Sequence, residues 1–218
     1  MTALIETVRV KDGRAPLWRL HQARLEASCL ALGIPRPIVE PPRGGEDRVV
    51  QYIVVIGEQR ADAEEPAGIK ERAVGSVAPV RLALSRETHR PYPHKTTERV
   101  VFDRAAAKAK AQGADDAVLL TAEGLVAEAT IWTLFWWEGD RLATPALDLG
   151  VLPGVGRARV GNLAAGGLAE RRVRAEELVG RSLFLANAAR GVVQVAEWQG
   201  SSVEQDTRTG WLREAFWP

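Results

Sequence analysis

The amino-acid sequence predicts an α+β protein of two lobes, with residues 1–88 in a small N-terminal α/β lobe and residues 89–218 in a larger C-terminal lobe. Strand and helix patterns are mixed and do not repeat as a regular βαβ array. Short hairpin patterns are concentrated in the second half. Residues 87–93 contain two prolines among polar neighbours, so we interpret this stretch as the linker between the lobes.

The N-terminal lobe is predicted to be a strand–helix–strand unit with one further strand. Apolar residues recur at helical spacing from Leu17 to Leu32, and Gly33 and Pro35 end that helix. β-Branched residues or period-two alternation predict three strands, at residues 4–10, 49–56 and 80–85. A buried helix also fits residues 49–56. Residues 58–75 are polar and weakly patterned, so they carry no predicted element.

The C-terminal lobe is predicted to combine helices with hairpins. Gly113 closes the first helix, and turns at residues 122–124 and 138–140 join neighbouring strands. The predicted helices are residues 98–111, 155–168 and 175–179. The predicted strands are residues 117–121, 125–127, 131–137, 141–143, 182–186 and 192–196. Alternation places Trp132 and Trp136 on one face of their strand and Trp137 on the other, where we expect core or dimer packing rather than ring stacking on a ligand.

Composition excludes several classes of function. With 218 residues and 46% hydrophobic content, the chain can bury a core, and its net charge of +1 argues against nucleic acid or an acidic membrane surface as a partner. Cys29 is the one cysteine, which excludes an intrachain disulfide and fits a reducing, cytoplasmic setting. Three histidines without ligand spacing indicate no metal site. We see no signal peptide and no apolar run of the roughly 20 residues that span a bilayer.

Five short segments follow one another in an informative order: Glu6-Thr7-Val8-Arg9-Val10, His21-Gln22-Ala23-Arg24-Leu25, His94-Lys95-Thr96-Thr97-Glu98-Arg99, Gly124-Leu125-Val126-Ala127-Glu128-Ala129-Thr130 and Val151-Leu152-Pro153-Gly154-Val155-Gly156-Arg157. They supply an arginine, a lysine, a later glutamate and a Pro-Gly turn that opens a helix. Each motif alone is weak, but the ordered set is specific.

With Asn187-Ala188-Ala189-Arg190-Gly191, this set resembles the class IV aminotransferase-fold enzymes, which use pyridoxal 5′-phosphate (PLP) and include branched-chain aminotransferase, D-amino acid aminotransferase and aminodeoxychorismate lyase. The resemblance covers residues 4–195 and is strongest to aminodeoxychorismate lyase in the form fused behind aminodeoxychorismate synthase. It implies fold type IV, with a small α/β lobe, a larger mixed pseudo-barrel lobe and PLP between them. It also implies a homodimer, a small-molecule amino substrate and a synthase partner.

The resemblance implies that Lys95 is the Schiff-base lysine and that Glu128 faces the pyridine nitrogen. Lysine suits the first role because burial or nearby cations can bring its amine to the neutral form. A carboxylate suits the second role because it keeps the ring nitrogen protonated. The alternatives are a solvated lysine before a helix and a surface glutamate on a strand.

The resemblance also implies a phosphate site made by Arg24, by the backbone amides of Val155 and Gly156, and by the turn at Ala188. Helix N-termini favour anions because their first N–H groups lack partners in the helix. Gly156 replaces a frequent threonine and Ala188 replaces a Ser or Thr, so two phosphate hydroxyls are missing. A solvated helix arginine is the alternative for Arg24, and His21 is expected to pack beside it.

Substrate recognition is less marked in the sequence. Arg190 and Tyr92 are the candidates for binding a substrate carboxylate, with Arg86 and Arg90 as weaker ones, because arginine presents a bidentate fork. Each of them is equally consistent with a surface side chain. Thr133 replaces the asparagine of the related Asn-Leu-Phe motif.

Three functions remain open at this point. The first is a PLP-dependent lyase that converts 4-amino-4-deoxychorismate to 4-aminobenzoate and pyruvate for folate biosynthesis, with Lys95 as general base and acid. The second is a transaminase for a branched-chain or other small amino acid, which needs a keto acid acceptor. The third is a catalytically silent homologue, which the short N-terminus and the missing hydroxyls motivate.

Overall fold

The computed structural model describes residues 2–55 and 68–218, which form two β-sheets with α-helices packed around them. The smaller sheet is antiparallel, with the strand order β1–β2–β3. These strands are β1 (Ala3–Val10), β2 (Arg48–Val55) and β3 (Gly68–Ala73). Helix α1 (Trp18–Leu32) packs on β1.

The helix α1 ends as the sequence predicts. Gly33 adopts a left-handed conformation with a φ of 63°, which glycine reaches without the steric cost that a Cβ brings. Cys29 is buried in the apolar cluster between α1 and the small sheet, as expected of a small core residue.

The larger sheet has nine strands in the order β6–β5–β4–β11–β10–β7–β8–β9, with β12 paired to β11. Its strands are β4 (Val80–Thr88), β5 (Asp116–Leu120), β6 (Val126–Ala129), β7 (Thr133–Glu138), β8 (Arg141–Pro145), β9 (Leu168–Arg171), β10 (Leu183–Asn187), β11 (Gly191–Trp198) and β12 (Ser201–Ser202). Its helices are α2 (Val100–Ala111), α3 (Val155–Leu163) and α4 (Thr207–Ala215).

Apolar side chains cover both faces of the larger sheet around β7. Trp132 and Trp136 belong to the cluster on one face, while Phe135 stacks on Phe184 on the other, with ring centroids 5.0 Å apart. Trp137 packs with the second cluster, so the predicted alternation of the tryptophans is confirmed. These two layers hold the strands that end at the cavity described below.

Two predictions about local structure were wrong. The helix predicted to run to Leu168 ends at Leu163, because the Gly166-Gly167 turn follows and Leu168 begins β9, which pairs in parallel with β8. The weakly patterned stretch before Gly75 contains β3, whose side chains are almost all exposed, so burial leaves no alternation in the sequence. Helix α4 was not predicted.

Other predictions stay open. Residue 56 and residues 58–67 lie outside the described residues. The domain boundary at residues 88 and 89 remains a prediction, although β4, which precedes it, pairs within the larger sheet between β11 and β5. Within the described part of the chain, we find no helix with the length and apolarity that a membrane span requires.

Candidate active site

A cavity of about 220 Å³ lies between the two sheets. All eight residues that the sequence analysis placed in the site line it: Arg24, Tyr92, Lys95, Glu128, Val155, Gly156, Ala188 and Arg190. The weaker candidates Arg86 and Arg90 do not line this cavity. Residues more than 160 positions apart in sequence are therefore brought together as expected.

Lys95 is held in place by backbone contacts with β1. Its carbonyl accepts a hydrogen bond from the Ile5 amide at 2.8 Å, and the Thr97 amide donates to the Ala3 carbonyl at 2.8 Å. The Tyr92 hydroxyl donates to the Thr96 carbonyl at 2.6 Å and accepts from the Thr96 amide at 2.7 Å. Tyr92 thus fixes the lysine segment, and its hydroxyl proton is already used.

The Lys95 amine is much less basic than that of an ordinary lysine. Burial lowers its pKa most, and the positive charges of Arg24 and Arg99 lower it further, while the carboxylates of Glu6 and Glu128 oppose them. The balance brings the pKa from 10.5 to about 7. A large fraction of the amine is therefore neutral, and hence nucleophilic, at neutral pH.

Arg24 is positioned by a buried ion pair with Glu6. Its Nε donates to Glu6 Oε1 at 2.9 Å and its NH2 group to Oε2 at 2.6 Å, while His21 Nδ1 lies 2.6 Å from the same Oε2. Burial alone raises the pKa of Glu6, but the Arg24 charge and the His21 hydrogen bond outweigh it and bring that pKa to about 2. Burial also lowers the pKa of His21, so its ring is neutral and serves packing and orientation.

Glu128 is oriented by two donors that leave one of its oxygens available. His89 Nε2 lies 3.0 Å from Glu128 Oε1, and the Leu152 amide donates to the same oxygen at 3.2 Å. Oε2 is left to accept from a ligand in the cavity. His89 is 5% exposed and packs edge-on to Phe102, so its ring is fixed as well.

The N-terminus of α3 meets the turn after β10 at unusually short range. A Cβ on Gly156 would lie 2.7 Å from the Asn187 Cα and 2.9 Å from its amide nitrogen. Asn187 Oδ1 accepts from the backbone amides of Ala189 and Arg190, at 3.0 and 2.8 Å, which fixes that turn. Gly156, which stands where related enzymes often have a threonine, is therefore sterically required in this chain.

These residues fit PLP. One cavity is lined by four suitable groups. Lys95 supplies an amine of low basicity, and Glu128 supplies a carboxylate oxygen without a described partner. The N-terminus of α3 approaches at Gly156, and Arg24 is anchored by the Glu6 carboxylate. Ala188 adds no hydroxyl, so the phosphate contacts would come from Arg24 and from the amides of Val155 and Gly156. In residues 2–55 and 68–218, His, Cys, Asp and Glu form no cluster of three or more that could hold a metal ion.

Sequence reasoning missed three residues that matter for the site: Glu6, Arg72 and His89. Glu6 lies inside a motif that was noticed, yet it was given no role. His89 precedes Glu128 by 39 residues, and no local pattern could link the two. Arg72 lies on β3, where the sequence predicted no element.

Comparison with known proteins supports the fold. The family model described as amino-transferase class IV matches residues 3–198. A search of curated proteins found no significant match. Among solved structures, a branched-chain aminotransferase from Thermoproteus uzoniensis with norvaline has 22% sequence identity and a TM-score of 0.82, over 98% of this chain and 84% of that chain.

Two further structures show the same fold. A candidate 4-amino-4-deoxychorismate lyase from Legionella pneumophila has 22% identity and a TM-score of 0.81, over 98% of this chain and 91% of that chain. A hypothetical aminotransferase from Mycobacterium tuberculosis, bound to α-ketoglutarate and PMP, has 19% identity and a TM-score of 0.84, over 98% of this chain and 87% of that chain. At such identities the likeness concerns the fold and not the reaction.

Gly156→Ala is expected to destabilise the protein by about 1–3 kcal/mol, because the new methyl group meets Asn187 backbone that cannot rotate away. Helix propensity alone would give the opposite sign, since alanine favours a helix over glycine by about 1 kcal/mol. Denaturant unfolding measures the difference. Gly166→Ala is the control, because its Cβ meets no described atom within 4 Å. An unchanged or raised stability for Gly156→Ala would contradict the close contact.

The reactivity of the Lys95 amine is expected to rise with a half-point near pH 7, because the amine is protonated below its pKa and neutral above it. Acetic anhydride labelling of the cofactor-free protein, against an added reference amine and followed by peptide mass spectrometry, measures this. Arg99→Gln removes a positive charge and should move the half-point to higher pH. Arg104→Gln, on the exposed side of α2, should not. A wild-type half-point near 10.5 would refute the desolvated site.

Proposed function

The chain belongs to the class IV aminotransferase family, whose cofactor is PLP, and we propose that it is a 4-amino-4-deoxychorismate lyase that forms 4-aminobenzoate and pyruvate. The proposal makes it an enzyme of folate biosynthesis. One observation carries it: a lysine amine with a pKa of about 7 lines the same cavity as an oriented carboxylate. An amine that titrates near neutrality can both take and return a proton.

The main residues of the cavity have defined tasks in this proposal. Lys95 would hold the cofactor and would act as base toward the substrate. Glu128 Oε2 would keep the pyridine nitrogen protonated, while His89 and the Leu152 amide orient the other oxygen. Arg24 and the first amides of α3 would hold the phosphate. When bound, PLP withdraws electrons from the carbon that carries the substrate amine.

The lyase reaction balances without a co-substrate. Lys95 removes the proton from the ring carbon that bears the amine. The neighbouring carbon–oxygen bond then breaks, the ring becomes aromatic and the enolpyruvyl group leaves. Lys95 returns a proton to the methylene carbon of that group, which yields pyruvate. The lysine ends in its starting state, so one amine serves as both base and acid.

A transaminase for a branched-chain or other small amino acid is the second candidate, since Lys95 and Glu128 could serve that reaction as well. The similarity to the Thermoproteus uzoniensis aminotransferase favours it. It differs from the lyase in needing a keto acid acceptor such as 2-oxoglutarate. The absence of phosphate hydroxyls at Gly156 and Ala188 motivates a third candidate, a silent homologue that does not turn over substrate.

The proposal extends to the assembly and the cellular setting, where the homodimer and the synthase partner rest on the family resemblance and the remaining statements on composition. We propose a homodimer in the cytoplasm that receives its substrate from aminodeoxychorismate synthase. The substrate is then a small-molecule amine, and neither nucleic acid nor membrane takes part.

Protein loaded with PLP is expected to convert 4-amino-4-deoxychorismate to equal amounts of 4-aminobenzoate and pyruvate without a keto acid. Chromatography for the first product and a coupled lactate dehydrogenase assay for the second would measure both. Lys95→Ala should form neither, because it removes the only base in the scheme; turnover in that variant would refute the role of Lys95. Product that appears only with 2-oxoglutarate would favour the transaminase, and protein that stays colourless with PLP would favour the silent homologue.

Glu128→Ala is expected to retain part of its PLP but to lose most turnover, roughly 100-fold or more, because the ring nitrogen loses its anionic partner. Cofactor content is read from the absorbance of the protein, and kcat from product formation. Glu87→Ala, a partly exposed glutamate at the end of β4, is the control. A wild-type kcat in Glu128→Ala would mean that another carboxylate meets the ring.

A further inference from the structure

Arg190 packs against two neighbours at the wall of the cavity. Its Cζ lies 5.4 Å from the centroid of the Trp132 ring. The guanidinium also lies against Gly75, where a Cβ would fall 2.4 Å from the Arg190 NH2 nitrogen and 2.6 Å from Cζ. The guanidinium therefore occupies space that any other residue at position 75 would fill.

Arg72 brings a second guanidinium to the same cavity from the opposite sheet. It lies on β3, whereas Arg190 follows β10 in the larger sheet, and both side chains line the cavity that contains Lys95. The pKa of Arg190 is lowered by burial and then by the positive charge of Arg72. Within residues 2–55 and 68–218, neither arginine forms an ion pair with an acidic side chain.

The charges of the cavity do not balance. Five of its lining residues are Lys or Arg and one is acidic: Arg24, Arg72, Lys95, Arg99 and Arg190 against Glu128. A phosphate would pair with Arg24, which Glu6 already holds, and Arg99 donates to the Thr130 carbonyl at 2.6 Å. Asp116 contributes a negative charge that opposes the effect of Arg72 on Arg190, and its carboxylate already accepts a hydrogen bond from Thr130. Lys95 is assigned to the cofactor in the proposed function, so the two remaining positive side chains are Arg72 and Arg190.

We propose that Arg72 and Arg190 form a two-point anion site, seated on Gly75, which selects substrates that carry two carboxylates. The proposal rests on the proposed function in one respect, namely that the substrate enters this cavity. Arg190 takes one carboxylate at the wall, where its planar fork is held by Trp132 and Gly75. Arg72 takes the other from across the cleft. Both residues set specificity and neither transfers a proton.

A charge series on one ring tests the site without any reaction. Isophthalate, benzoate and benzamide carry two, one and no negative charges at neutral pH, and their binding to the PLP-loaded protein is measured by calorimetry at low salt. Isophthalate is expected to bind at least 10-fold more tightly than benzoate, and benzoate more tightly than benzamide. Arg72→Gln should reduce the affinity for isophthalate to that for benzoate, and Arg190→Gln should reduce the affinity for both anions. Arg104→Gln, which lies outside the cavity, should leave the affinity for both anions unchanged.

Gly75→Ala separates geometry from net charge, because it keeps both arginines and displaces only the end of a flexible side chain. It is expected to weaken isophthalate about as much as Arg190→Gln does, with the fold intact. Equal binding of all three ring compounds, or wild-type binding by the Arg72→Gln and Arg190→Gln double variant, would overturn the anion site. If the protein prefers isophthalate but shows no lyase or transaminase turnover, the anion site is upheld and the proposed reaction is refuted. Failure of the anion site and failure of the proposed reaction are therefore distinguishable.

Discussion

A carboxylate buried at Glu6 is the constraint on which the site depends. A buried charge is costly unless it is paired and hydrogen-bonded, so its partners Arg24 and His21 are held in fixed positions on α1. Glu6 lies on β1, next to Ile5, whose amide binds the Lys95 carbonyl. One strand thus fixes both Arg24 and Lys95, although these two residues are 71 positions apart.

The same constraint sets the chemistry of the lysine. Burial lowers the pKa of Lys95 most, Arg24 and then Arg99 lower it further, and the negative charges of Glu6 and Glu128 oppose them. His89 and the Leu152 amide orient the Glu128 carboxylate. The reactivity of one amine therefore results from charges contributed by both sheets, and no single neighbour determines it.

The sequence was sufficient where local pattern and chemistry coincide. Helix α1 with its Gly33 end and the hairpins of the larger sheet follow from periodicity and turn residues. The eight residues of the cavity follow from the family resemblance that the ordered motifs carry. It was insufficient where a long-range partner decides the outcome. The pairing of His89 with Glu128 has no local signature, β9 forms because β8 offers it a parallel edge, and the exposed β3 lacks the alternation that burial imposes.

The contact between β1 and the lysine segment also has a mechanical consequence. The small sheet is joined to the rest of the chain along its β1 edge, by the hydrogen bonds of Ile5 and Thr97. Its opposite edge, β3, bears Arg72 and leads to Gly75 at the rim of the cleft. A rotation of the small sheet about its β1 edge would therefore have to break the contact between Gly75 and Arg190. A rotation that leaves Lys95 almost in place would move Arg72 the furthest.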